Sequence, residues 1–165
     1  GGAPPAGMGG GRRAGAPASA GAIAAAAGTA SFVAQEQRVR DQRATAAAAR
    51  AEAARVEAVL GAPDARLRTG TLSSGGRVTM VISDSRDEGV VVLAGAPAPG
   101  PDKAYQLWAI DAGGAESMGV VESGAADATQ LVSGVRGMQA LGVTVEPATG
   151  SKTPTKPILA TVAVT

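Results

Sequence analysis

Lys103-Ala104-Tyr105-Gln106-Leu107-Trp108-Ala109-Ile110-Asp111 holds the single tyrosine and the single tryptophan of a 165-residue chain, and its alternation decides the fold. As a strand it sends Tyr105, Leu107 and Ala109 to one side and Gln106, Trp108 and Ile110 to the other. Each side therefore carries a large apolar group. That pattern suits a central strand with one face in the core and the other covered by a loop or neighbouring segment. A ligand platform built on Tyr105 and Trp108 fits it less well, because a core this poor in aromatics needs both as filling.

Working outward, the chain after Asp64 breaks into short β-branched runs separated by Gly, Pro, Asp and Ser. The runs predict strands over Arg66–Leu72, Arg77–Ser83, Gly89–Ala94, Ala104–Ile110, Met118–Glu122, Gln130–Val132, Leu141–Glu146 and Ile158–Val164. Turn residues lie at Ser74-Gly75-Gly76, Asp84–Glu88, Pro97–Asp102 and Ala112-Gly113-Gly114. No helix of crossover length separates the runs, so parallel folds are disfavoured. The expectation for residues 62–165 is an all-β fold, an antiparallel β-sandwich of about six to eight strands.

Upstream, Ala34 to Leu60 is mostly Ala, Arg, Glu and Gln, which predicts one long helix ended by Gly61 as a C-terminal cap and by Pro63. Val39, Val56, Val59 and Leu60 are sparse for a coiled-coil seam, so residues 35–61 read as a solvated helical stalk. Residues 14–34 contain no charge, and at about 1.5 Å per residue they would extend roughly 31 Å as a helix, enough to cross a bilayer. Only Ile23, Phe32 and Val33 are strongly apolar there, which makes insertion weak; a disordered Ala/Gly linker is the competing reading. Arg12 and Arg13 precede the segment while Arg38, Arg40, Arg43 and Arg50 follow it, a distribution that by itself would put the N-terminus outside. Residues 1–13 read as a disordered Gly/Pro/Ala linker. The absence of an initiating Met leads to the expectation of further residues upstream.

Fifteen basic and fourteen acidic residues leave a net charge of +1, too small a field to point to nucleic acid. With neither His nor Cys, zinc-finger sites, His-dependent triads and thiol chemistry are excluded. The glycines at 9–11 and 113–114 lack the strand–loop–helix setting of a phosphate-binding loop. Ser73-Ser74-Gly75-Gly76 has no nearby base and reads as a hairpin tip.

One carboxylate stands out. Glu146-Pro147, followed by Gly150-Ser151 and Pro154-Thr155, closes a strand and opens a loop; Pro147 should stop pairing, and Glu146 could accept from loop amides or from the Ser151 and Thr155 hydroxyls. No second carboxylate lies near it in sequence for acid–base work. The expectation is no enzyme, no catalytic residue, no cofactor and no metal.

Taken together, the Tyr105-Gln106-Leu107-Trp108 strand, Met118-Gly119-Val120, and Val143-Thr144-Val145-Glu146-Pro147-Ala148-Thr149-Gly150-Ser151-Lys152-Thr153-Pro154-Thr155 resemble the C-terminal domain of the anti-sigma-K factor RskA family over about Val59 to Thr165. The family usually has Gly-Gly before the serine, where this chain has Thr149-Gly150. The resemblance implies a single-pass membrane regulator. Its N-terminal domain, absent from this chain, would hold an extracytoplasmic-function sigma factor in the cytoplasm, and the β-domain would lie outside the cell membrane. It also implies release by a site-1-type protease and then an intramembrane protease, and an N-terminus-inside orientation opposite to the one the arginine count favours. A secreted or membrane-attached binding module without a sigma-factor partner is the alternative.

Overall fold

The computed structural model describes Gly2, residues 20–122, residue 124 and residues 127–164. Most of the expected 1–13 linker and the beginning of the charge-free segment, 14–19, lie outside the described residues. The chain divides into two compact units, Gly1–Ala47 and Ala48–Thr165.

Helix α1 spans Ala20–Leu60, 41 residues. Between Gly28 and Arg55 every residue is exposed, so this stretch is supported by propensity and local pairs and not by packing. Arg40 donates to Glu36 at 2.6 Å and Gln37 to Asp41 at 3.1 Å, each one turn apart. Among the described residues no helix is long and apolar enough to cross a membrane, which follows from the dominance of Ala over Leu and Ile.

The second unit contains eight strands: β1 Arg66–Thr71, β2 Arg77–Ser83, β3 Glu88–Ala94, β4 Lys103–Asp111, β5 Gly114–Val120, β6 Ala128–Ser133, β7 Ala140–Pro147 and β8 Ala160–Ala163. They form two four-stranded sheets, ordered β1-β2-β3-β6 and β5-β4-β7-β8, in which every pairing is antiparallel. Val78, Met80, Ile82, Val91 and Leu93 of the first sheet share the core with Tyr105, Leu107, Leu141 and Val143 of the second. Tyr105 brings a hydroxyl into this apolar layer and satisfies it by donating to the Pro97 carbonyl at 2.6 Å. The two sheets close on each other along β1 and β8, where a Cβ on Gly70 would come within 2.6 Å of Val162.

Several boundaries differ from the sequence reading. β5 begins at Gly114, four residues before Met118, because Asp111 accepts from the amides of Gly113 and Gly114 and tightens the hairpin ahead of the strand. Pro147 is itself the last paired residue of β7, opposite Lys103, so pairing runs one residue past Glu146 and stops there, where no ladder amide is demanded of the proline. Gly61 caps α1 without a left-handed conformation; its amide donates to Glu57 O at 2.9 Å, and Ala62 closes the turn on Val59 O at 3.2 Å.

The stalk is also not solvated to its end. Val59 is fully buried, and Arg55, one turn earlier on the same helix face, donates Nε and Nη2 to Glu88 Oε1. Just past the helix, Asp64 accepts from the Ser85 amide at 2.8 Å and from the Ser83 and Ser85 hydroxyls at 2.7 and 2.9 Å. These contacts join the helix end and the following linker to the β2–β3 hairpin.

Candidate functional site

β4 and β7 run side by side at the centre of the second sheet, with Gln106 opposite Thr144 and Ala104 opposite Glu146. The register puts Gln106, Trp108, Thr144 and Glu146 on the face away from the core, since their neighbours Tyr105, Leu107 and Val143 fill the core. All four are nevertheless buried, with Trp108, Thr144 and Glu146 fully so. The loop from 148 to 159 covers them.

The covering is made of hydrogen bonds that converge on two side chains. Glu146 Oε1 accepts from Thr144 Oγ1 at 2.6 Å and from the Thr155 amide at 2.7 Å, while Oε2 accepts from the Ser151 and Thr155 hydroxyls, both at 2.7 Å. Gln106 pairs with the Ser151 backbone in both directions, accepting from its amide at 2.8 Å and donating to its carbonyl at 3.0 Å. Its Nε2 also donates to Ser117 Oγ at 2.8 Å. Trp108 Nε1 donates to Thr144 Oγ1 at 2.8 Å, so indole, hydroxyl and carboxylate form one relay in which each bond polarises the next.

Local sequence explains each position. A bulge between Leu107 and Trp108 in the β4–β5 pairing leaves Met118 without a partner and brings Ser117 opposite Trp108, within reach of Gln106. Gly150 has φ of +80° and lies so close to β5 that a Cβ would meet Val120 Cγ2 at 2.9 Å, so only glycine lets the loop come down. Thr149 has no positive φ, so a non-glycine residue fits there without strain. Pro154 is half-buried and sets the direction of the chain into Thr155.

Burial pushes the Glu146 carboxyl up, but the donors from Thr144, Thr155 and Ser151 outweigh it and hold the group at about 2, below its ordinary 4.5. It is an ionised, desolvated carboxylate whose acceptor sites are filled by its own chain. Chemically this arrangement can fasten a loop. Among the described residues, every buried side-chain nitrogen or oxygen has a hydrogen-bond partner, and no three His, Cys, Asp or Glu side chains gather as a metal site.

All the motif residues named from sequence, Tyr105, Gln106, Leu107, Trp108, Thr144, Glu146, Pro147, Gly150, Ser151, Pro154 and Thr155, lie on β4, β7 or the covering loop. Tyr105 and Leu107 face the core and Pro147 is exposed at the strand end; neither group takes part in the polar relay. The sequence reading did not foresee the Asp64 staple or the Arg55–Glu88 pair. Partners 19 to 33 residues apart leave no periodic signal.

A family model described as the C-terminal part of the anti-sigma-K factor RskA matches residues 15–158. An anti-sigma-K factor RskA from Mycolicibacterium vanbaalenii is 39% identical over 106 residues, covering 63% of this chain and 44% of that protein. The anti-sigma-K factor RskA of Mycobacterium tuberculosis is 36% identical over 107 residues, 63% of this chain and 46% of its own. A Streptomyces griseus protein described only as uncharacterized, in the phr 5' region, is 37% identical over 122 residues, 73% of this chain and 51% of its own. The chain thus spans about half the length of these curated relatives. No solved structure matches it. With the family model covering the helix and the sandwich up to the segment before β8, the chain belongs to the anti-sigma-K factor RskA C-terminal family.

Proposed function

We propose that the chain is the extracytoplasmic regulatory part of a membrane-anchored anti-sigma factor. In the whole protein a segment N-terminal to α1 would sequester a sigma factor, and proteolysis outside and then within the membrane would free it. The observation that carries this reading is the family match across residues 15–158, which takes in α1 together with strands β1 to β7 of the sandwich. The covered face of the second sheet supports it from another side, because the most polar buried cluster of the domain is spent on holding a loop and leaves the exposed stalk as the vulnerable part.

Anchoring is assigned to residues 14–34, a charge-free segment of bilayer length. Its Ala and Gly make insertion weak, and a weakly inserted helix unwinds readily, which suits a substrate for cleavage within the membrane.

The test is fractionation of the full-length protein tagged at both ends. It is expected in the membrane fraction, with the C-terminal tag accessible from outside, and Ala24→Lys with Ala26→Lys should release it. Under inducing stress the first cut should fall between residues 35 and 61. Recovery without detergent, with no sigma factor co-purifying, would instead favour a secreted binding module.

A further inference from the structure

We propose that the last turn of α1 is a latch: docked on the outer face of the β1-β2-β3-β6 sheet, it withholds the end of the stalk from proteases, and undocking exposes it. Glu88 and Ser133 face each other across β3 and β6, and Arg55 reaches both, with Nε at 2.8 Å from Glu88 Oε1 and Nη2 at 3.5 Å from Ser133 Oγ. The Glu88 side chain is only 15% exposed, and Arg86 approaches its second oxygen at 3.7 Å, so the anchoring carboxylate is itself held. Val59 lies on the same helix face as Arg55 and is completely buried, yet it stands outside the main core, as does Val90, two residues beyond Glu88 on the outer face of β3.

The helix thus changes character within two turns. From Gly28 to Arg55 its residues are exposed; at Val59 the helix is part of the domain. A protease takes its substrate as an extended segment of several residues, so cutting between 52 and 61 requires the helix to unwind there, and unwinding is opposed for as long as Arg55 and Val59 stay docked. The remainder of the exposed stalk has no such restraint.

For its signalling role this latch rests on the proposal that the stalk is cut; the experiment below reads local opening alone and is independent of any membrane or sigma factor. The 165-residue chain is digested with limiting trypsin, and the rate of cleavage after Arg55 is divided by the rate after Arg43 in the same molecule. Glu88→Ala should raise this ratio about tenfold, while Trp108 emission keeps the value of the folded sandwich. Because that variant also frees the Arg55 side chain for the protease, Arg55→Ala is digested with a Glu-specific protease and cleavage after Glu57 is compared with cleavage after Glu36. The same rise is expected. Ratios that stay at the wild-type value in either variant would overturn the latch, as would a rise in cleavage after Glu57 only in step with cuts inside the sheets.

Discussion

Glu146 is buried as a carboxylate that the chain surrounds with its own donors, and this sets the energetics of the clasp. A buried charge is tolerated when its lone pairs are satisfied, and here four donors from Thr144, Ser151 and Thr155 do so. Glu146→Gln keeps the size but removes the charge and puts an NH₂ where an acceptor is needed, so it should lower stability by about 1–3 kcal/mol. Urea unfolding followed by Trp108 emission checks this, and the emission of the folded wild type should be that of an indole withdrawn from water. The pH dependence has a definite sign. With its folded value near 2 and its ordinary value at 4.5, Glu146 binds a proton more readily when unfolded, so its contribution is complete above about 4.5 and is lost as pH falls toward 2. Asp64, lowered from 3.8 to about 2 by the Ser85 amide and the Ser83 and Ser85 hydroxyls, acts in the same direction slightly further into acid. Unfolding midpoints between pH 5 and pH 2 should therefore fall less steeply in Glu146→Gln than in wild type, and less steeply again when Asp64→Asn is added.

At the scale of elements, the central strand was the most legible part of the sequence. A run with large apolar groups on both faces can only be a strand covered twice, and β4 has the core on one side and the 148–159 loop on the other. The Glu146 loop was legible for a related reason: a carboxylate followed by hydroxyl residues and turn formers holds donors and acceptor within ten residues, close enough for local chemistry to bring them together. β5 was less legible. Its pattern is interrupted by the bulge that leaves Met118 unpaired, which destroys the period-two signal that marks a strand. The docked end of α1 was hidden altogether, because Val39, Val56, Val59 and Leu60 are too few for a coiled-coil seam and so read as a solvated stalk, and the decisive partners Glu88 and Ser133 belong to strands distant in sequence. The loop also yields a prediction. Gly150→Ala places a side chain at a positive φ and against Val120, so it should cost about 1–2 kcal/mol from the backbone alone. Thr149→Gly, at a position with no such constraint, should cost only the roughly 0.4–1 kcal/mol expected of added chain freedom. Paired chemical denaturation curves separate the two.

At the scale of the whole molecule, the sandwich expected over 62–165 is joined by the last turns of α1, since the second compact unit begins at Ala48. A fragment starting at Ala62 loses Val59 and Arg55, and burial of one valine alone is worth about 1.5 kcal/mol. Residues 48–165 should accordingly unfold at higher urea than residues 62–165, with both fragments giving β-rich circular dichroism; equal midpoints would mean that the helix end adds nothing to the domain. The position of Asp64 has a mechanical consequence. β1 is an edge strand with a single neighbour, the kind that peels easily when tension is applied at its end. Asp64 lies two residues before β1 and is bonded to Ser83, the last residue of β2, and to Ser85 beyond it. Tension arriving along α1 is therefore shunted past the edge strand into β2, which is held by neighbours on both sides, and the sheet is loaded from its interior instead of being unzipped from its rim.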